Sequence, residues 1–261
     1  MLTWFPSPYP DELFYSVLCR YYLSSGIKEH YLVKKQLFGN RVGIKMATLY
    51  PNAAVHAVLS QLPEGVFDGR NVILHHTPFA YYTRMYPATE REALLNDLLQ
   101  GRGKTPTHLW RTFPKEDYAL RYCPLCIQED TQIYGEPYYH VEHQIPLSSV
   151  CVRHRCRLKQ IDVDNPRLAL NNRFYPLGTV ETDRETDMDV TPAELQVSEL
   201  VREYWRLPAS VSPPACNNLY QTLLNSGYRT IVRQTGLNID RAKLYTALCG
   251  YHEAEVVKKI F

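Results

Sequence analysis

The stretch Arg121-Tyr122-Cys123-Pro124-Leu125-Cys126, followed after 24 residues by Cys151-Val152-Arg153-His154-Arg155-Cys156, decides how this chain is organised. A Cys-x-x-Cys turn closes a tight knuckle in which two thiolates reach one ion, and Cys-x-x-His does the same with a thiolate and an imidazole. Brought together, the two knuckles supply four donors for a tetrahedral Zn²⁺: Cys123, Cys126, Cys151 and His154. Soft thiolates favour zinc over Mg²⁺ or Ca²⁺, and a closed set of four protein ligands describes a structural site. The long gap suits a zinc ribbon with an inserted hairpin. Cys156 is the alternative fourth ligand. His154 is ranked above it because Cys-x-x-His repeats the knuckle spacing. Buried free thiols or disulfides are the competing readings of these cysteines. A catalytic zinc site is another, because His140-Val141-Glu142-His143 adds two imidazoles and a carboxylate. That pattern is not His-Glu-x-x-His, however, and Pro137 and Pro146 leave little room for a helix.

Composition sets the frame around this module. At 261 residues the chain is long enough for one large domain or two small ones, by a prior of roughly 150 residues each. Lys+Arg is 29 and Asp+Glu 27, a net charge of +2, which excludes a histone-like polycation and an acidic disordered tail protein. No apolar run approaches the roughly 18 residues of a membrane helix. The opening MLTWFPSPYPDELFYS has neither the basic nor the apolar region of a signal peptide, so a reduced, cytoplasmic setting without membrane contact is expected. There, clustered cysteines are read as metal ligands before disulfides. The cysteine count of 7 is odd, which a full set of internal disulfides cannot use.

Amino-terminal to the cysteine module the pattern is helical. Asp11 is placed to N-cap a helix carrying Leu13, Val17, Leu18, Tyr21 and Tyr22, broken at Ser24-Ser25-Gly26. A second helix spans Lys28 to Phe38 and stops at Gly39. The pair fits either a helix-turn-helix or an ordinary αα-hairpin. Further helices are expected near 51–62, 70–85 and 88–100, and residues 101–106 read as a basic turn. From Tyr122 to about Gln160 helical periodicity disappears. Beyond it, Glu181, Asp183, Glu185, Asp187 and Asp189 face a single Arg184, which reads as a solvated acidic linker. Helical pattern resumes over 191–206 with Thr191 as N-cap and Pro192 at the first position. The tail from Asn217 reads as three short helices. The chain therefore divides into an N-terminal helical region (1–120), a zinc-ribbon module (121–175), an acidic linker (176–192) and a C-terminal helical region (193–261). The fold class is mainly α with a small inserted zinc ribbon, and helix-turn-helix-type helical regions flank the Cys3His module.

Nucleic-acid contacts are sought in local charge. If the second knuckle continues as an extended strand, Arg153, Arg155, Arg157 and Lys159 alternate onto one face and could meet several phosphates; a solvated strand face is the alternative. From Arg202 to Lys259 there are eight Lys/Arg against four acidic residues, among them Arg229 and Arg233. Thr230–Cys249 can be laid out as a helix-turn-helix with Ile231 and Val232 in the first helix, Gly236 in the turn and Asp240–Cys249 as the second helix. Asn238, Arg241 and Lys243 then lie near the base-reading end. The paired tyrosines (138 and 139, for example) are read as core residues with a polar tip.

The same residues carry a resemblance to the TniQ/TnsD family of transposon target-selection proteins. Gly135, Tyr138, Tyr139, His143, Gln144, Pro146, Cys151, His154 and Leu158 stand where that family's zinc segment has them. Phe5-Pro6, Pro8-Tyr9, Glu12-Leu13, Tyr15-Ser16 and Arg20 match its FPxPYxxELxYSxxxR opening. Val152 replaces the usual Pro, and Cys156 stands close to the usual Gly. Only isolated Cys216 and Cys249 follow, so a single zinc is implied. The TnsD-like branch is favoured. The resemblance implies a non-enzymatic protein that binds double-stranded attachment-site DNA and recruits the AAA+ regulator TnsC. An alternative within the family is an adaptor that bridges a CRISPR effector complex to TnsC. The end, Val256-Val257-Lys258-Lys259-Ile260-Phe261, reads as mid-helix, so a carboxyl terminus cut short is expected.

Overall fold

A computed structural model describes residues 2–39, 46, 52–63, 65, 67–84, 86–102, 119–163, 172–207, 229–232, 236–250, 253–254 and 257–258. The helical reading of the first hundred residues is met. Helices α1 (Phe14–Ser25), α2 (His30–Phe38), α3 (Ala53–Leu59), α4 (Gly69–His75), α5 (Phe79–Thr83) and α6 (Ala88–Leu99) follow one another. α3 is the hub, packed on α2, α4 and α6. Each contributes wholly buried apolar side chains to one core: Leu18, Leu37, Val58, Ile73, Phe79 and Leu95. The expected helix over 70–85 is two helices, because Pro78 cannot continue the first. Asp11 does not cap α1. Its backbone is left-handed (φ 58°), the N-cap position falls on Leu13, and no side chain caps that end.

The middle of the chain has little strand. β1 (Arg121–Tyr122) pairs antiparallel with β4 (Lys159–Gln160), and β2 (Val150–Cys151) with β3 (Cys156–Arg157), which puts Cys151 opposite Cys156. The 24-residue gap holds no hairpin. It holds α7 (Pro124–Tyr134) and the single-turn α8 (Val141–Gln144). α7 escapes a periodicity reading because the side chains it buries are Pro124, Cys126 and Asp130, a metal-ligand type and a carboxylate instead of an apolar stripe. Its ends follow ordinary capping rules: Cys123 is the N-cap, Pro124 opens the first turn, and Gly135 closes it at φ 83°, a conformation that glycine adopts without strain.

The acidic segment is not a free linker. The Asp183 N–H donates to Tyr122 Oη at 2.9 Å, and Asp183 and Asp187 pair with Lys159 and Arg157. It leads into α9 (Pro192–Arg206), where Thr191 and Glu194 form a capping box. α9 packs on β2 and α5 and buries Val197, Val201 and Trp205 in the core.

In the tail, the helix-turn-helix layout is corrected. Strand β5 (Arg229–Val232) pairs antiparallel with β6 (Gly236–Ile239), and α10 (Arg241–Leu248), capped by Asp240, follows. The β-branched run Thr230-Ile231-Val232 prefers a pleated strand, and four residues are too few for periodicity to decide. Most of the Pro-rich stretch before it, with Cys216 and Arg233, lies outside the described residues.

Candidate metal centre

The local chain builds the two knuckles. Cys123 Sγ accepts the Cys126 N–H at 3.4 Å as α7 begins, so one turn of helix brings both sulfurs to the same point. On the other side the chain reverses between β2 and β3. Arg155 is left-handed there (φ 52°), and its N–H donates to the Cys151 carbonyl at 2.7 Å. The residue holding the glycine-favoured conformation is therefore Arg155, immediately after His154.

The donor atoms of Cys123, Cys126, Cys151 and His154 all lie within 4.8 Å of one another. His154 Nδ1 is 3.4 Å from Cys123 Sγ, 3.3 Å from Cys126 Sγ and 3.6 Å from Cys151 Sγ, and the sulfurs of Cys126 and Cys151 are 3.8 Å apart. Bond lengths of about 2.3 Å for Zn–S and about 2.0–2.1 Å for Zn–N give tetrahedral edges of about 3.8 Å between sulfurs and about 3.6 Å between sulfur and nitrogen. The donors are thus at ligand–ligand spacing, and the set fits a tetrahedral ion of the zinc class. The three cysteines are almost wholly buried, while the His154 side chain is 19% exposed. Cys156 lies beside this set: its buried Sγ is 3.4 Å from Cys123 Sγ. Hydrogen bonds from the thiols of Cys126, Cys151 and Cys156 hold the Cys123 thiol far below its ordinary pKa, and bonding to Cys123 raises the other three. Cys123 is therefore the thiol of the four that gives up its proton most readily.

A second layer orients this cluster. His154 Nε2 lies 3.3 Å from Glu129 Oε2, which leaves Nδ1 to face the sulfurs; Arg153 pairs with the same carboxylate. His143 is fully buried with Nε2 4.0 Å from Cys126 Sγ, and burial drives its pKa well down, so a neutral imidazole backs the cluster. Gln144 clamps the strand before the first knuckle. Its Oε1 accepts the Arg121 N–H at 3.0 Å, and its Nε2 donates to the carbonyls of Arg121 (2.8 Å) and His140 (3.0 Å).

The N-terminal residues with the family-like pattern close onto the same segment. Backbone bonds run from Leu13 N–H to Tyr139 O (2.7 Å) and from Val141 N–H to Asp11 O (2.8 Å). Arg20 reaches across with Nε on Glu136 (2.7 Å) and Nη1 on Glu12 (2.9 Å), and its guanidinium lies 3.7 Å over the Tyr9 ring. Glu12 is wholly buried. Burial lifts its pKa to about 7 against the pull of Arg20. His140 sits between Asp130 (3.0 Å) and Asp11 (3.4 Å). Burial alone would lower its pKa, but the hydrogen bonds and charges of these carboxylates raise it to about 9. Tyr138 and Tyr139 bury their rings and donate their hydroxyls to the carbonyls of Pro10 (3.0 Å) and Tyr175 (2.9 Å), as tyrosines with polar tips.

The basic residues are placed differently from expectation. Residues 152–155 are a turn and β3 and β4 are separate strands, so Arg153, Arg155, Arg157 and Lys159 do not line one strand face. Arg157 is bidentate to Glu194 (2.6 and 3.0 Å) and also meets Asp187. Lys159 pairs with Asp183 and Arg153 with Glu129; Arg155 is exposed without an ion-pair partner among the described residues. Arg229 and Asn238 lie on the paired strands β5 and β6, and Arg241 and Lys243 in the first turn of α10. The sequence reading missed the partners of the basic residues, although alternating acids at 181–189 stood as their complement.

The fold and site together define a mainly helical protein whose amino-terminal segment is clamped onto a Cys3His cluster that fits a tetrahedral metal ion. The family model for TniQ matches residues 3–158, and this chain belongs to the TniQ family. It is also 27% identical over 184 residues to the transposon Tn7 transposition protein TnsD of Escherichia coli, a match that covers 68% of this chain and 35% of that protein. The chain thus aligns with about a third of that relative's length.

Proposed function

We propose that this chain is a target-selection component of a Tn7-like transposition system, with a structural zinc at Cys123, Cys126, Cys151 and His154. The observation that carries the reading is the extent of the family match. Residues 3–158 include both the N-terminal pattern and the cysteine module, which pack here as one unit. Four protein donors at tetrahedral spacing leave no open position for substrate water, which supports a non-enzymatic, structural role for the metal. Zinc bound there supplies folding free energy and no chemistry.

On this reading the chain binds double-stranded attachment-site DNA and recruits the AAA+ regulator TnsC. Arg155 and the tail with its strand pair and α10 (Arg229, Asn238, Arg241 and Lys243), together with Arg233, which lies outside the described residues, carry the DNA contacts. The test is selection of bound sequences from a random duplex pool by the purified 261-residue chain. Enrichment of one sequence is expected, and Arg241→Ala with Lys243→Ala should weaken binding and flatten its salt dependence. One observation favours a second reading. Arg153, Arg157 and Lys159 are neutralised by Glu129, Glu194, Asp187 and Asp183, so this face shows little free positive charge. A family adaptor that bridges a CRISPR effector complex to TnsC would need no such charge, and a pool that returns no enriched sequence supports that role instead.

A further inference from the structure

A further sulfur stands beside the set of four donors that a tetrahedral ion takes. Cys156 Sγ lies 3.4 Å from Cys123 Sγ, is wholly buried, and stands directly opposite Cys151 in the β2–β3 register. The three sulfurs of Cys123, Cys126 and Cys151 are fixed by α7 and by that strand pair. His154 is tethered differently. It sits in the turn, its side chain is partly exposed, and its outer nitrogen is held by Glu129, a residue shared with solvent-facing Arg153. It is the one ligand of the four that is not almost wholly buried, and the Cys156 sulfur lies next to the set, against Cys123.

We propose that Cys156 is a reserve ligand. The site binds its metal through three thiolates and His154, and when His154 withdraws, the Cys156 thiol loses its proton to solvent and its thiolate takes the vacant position, giving a site of four thiolates. The exchange changes the site's charge by one unit without releasing the metal. It frees the His154 imidazole at the turn that also displays Arg155. This inference rests on the metal reading above, and the experiment separates the two.

Co²⁺ is the probe, titrated into the purified 261-residue chain, because thiolate-to-cobalt charge-transfer absorbance grows with each thiolate bound and visible d–d bands report tetrahedral geometry. Wild type and Cys156→Ser should give the same three-thiolate intensity. His154→Ala should keep its d–d bands while charge transfer rises by about a third, from three thiolates to four. His154→Ala/Cys156→Ser should bind Co²⁺ at least tenfold more weakly than either single variant. The proposal is overturned if His154→Ala stays at three thiolates, if it binds as poorly as the double variant, or if it fails to fold with Co²⁺ present. It is also overturned if Cys156→Ser alone costs wild type a thiolate, because Cys156 would then be the resident ligand. A wild-type chain with no thiolate charge transfer at all refutes the metal reading itself.

Discussion

The segment 119–163 is held at two places by opposite chemistry. At one, four donors converge at tetrahedral spacing, and a single ion can replace most of the packing a small module needs. At the other, no ion is required. Glu12, Arg20, Glu136, Asp11, Asp130 and His140 pair with one another in and around a buried seam, although Glu12 Oε1 and the Asp11 carboxylate oxygens are left without a hydrogen bond. The first fastening is short-range, between residues within 31 positions of one another; the second joins residues more than a hundred positions apart. A metal knuckle needs only the right side chains at the right spacing, whereas a charged seam needs the fold already in place to bring its partners together.

Removing one partner from each fastening separates them. Cys126→Ser has the largest expected effect. It should take metal content from one ion per chain to near none and erase hydrogen-exchange protection over 121–160, because structural zinc binding is folding free energy, on the order of 10 kcal/mol in small modules. Arg20→Ala should leave the metal in place and cost about 3–5 kcal/mol, since it strands the buried Glu12 carboxylate. Metal analysis beside denaturant unfolding distinguishes them. If Arg20→Ala also loses its metal, the two ends are one cooperative unit.

His140 gives the seam a pH signature of its own. Its pKa stands near 9 in the fold against about 6.5 unfolded. The stabilisation it contributes, on the order of 3 kcal/mol, is therefore complete below pH 6.5 and lost as pH rises through 9. Glu12, raised to about 7, has the same sign but finishes earlier, losing its contribution as pH climbs from about 4.5 through 7. Melting temperature should accordingly fall between pH 7 and 9 in the wild-type chain and stay nearly flat in His140→Gln. A wild-type slope that survives the substitution would place the titrating group elsewhere.

How much of this the sequence disclosed follows the same division. The cysteines and His154 are rare residue types at a spacing that chemistry explains, so their convergence at one point was legible. So were the helices with apolar stripes and the Thr191-Pro192 start of α9. The seam was not, because Asp11, Glu12, Arg20 and Asp130 carry charges that read as surface until a partner far along the chain is known. α7 hid for a related reason, as its buried face is cysteine and aspartate. The basic run 153–159 was misplaced because alternation presumes a continuous strand, and a left-handed Arg155 breaks it. In the tail, Thr230-Ile231-Val232 suits a helix or a strand equally on period, and β-branching was the signal that should have decided it.

The smallest expected effect tests whether α9 belongs to the metal end or only covers it. Glu194 faces both ways: it completes the capping box with Thr191 and also receives Arg157 from the knuckle strand, while Ser198 Oγ accepts the Val150 N–H at 3.3 Å. Thr191→Ala removes the cap's oxygen and leaves Glu194 and its ion pair with Arg157 in place. A lost N-cap costs about 1 kcal/mol, which should appear as a lower melting temperature with Co²⁺ affinity unchanged. An affinity drop of tenfold or more would mean that the first turn of α9 positions β2 and β3, and with them Cys151 and His154. The metal end would then depend on residues forty positions beyond its last ligand, and the contrast between a local and a long-range fastening would narrow to one of degree.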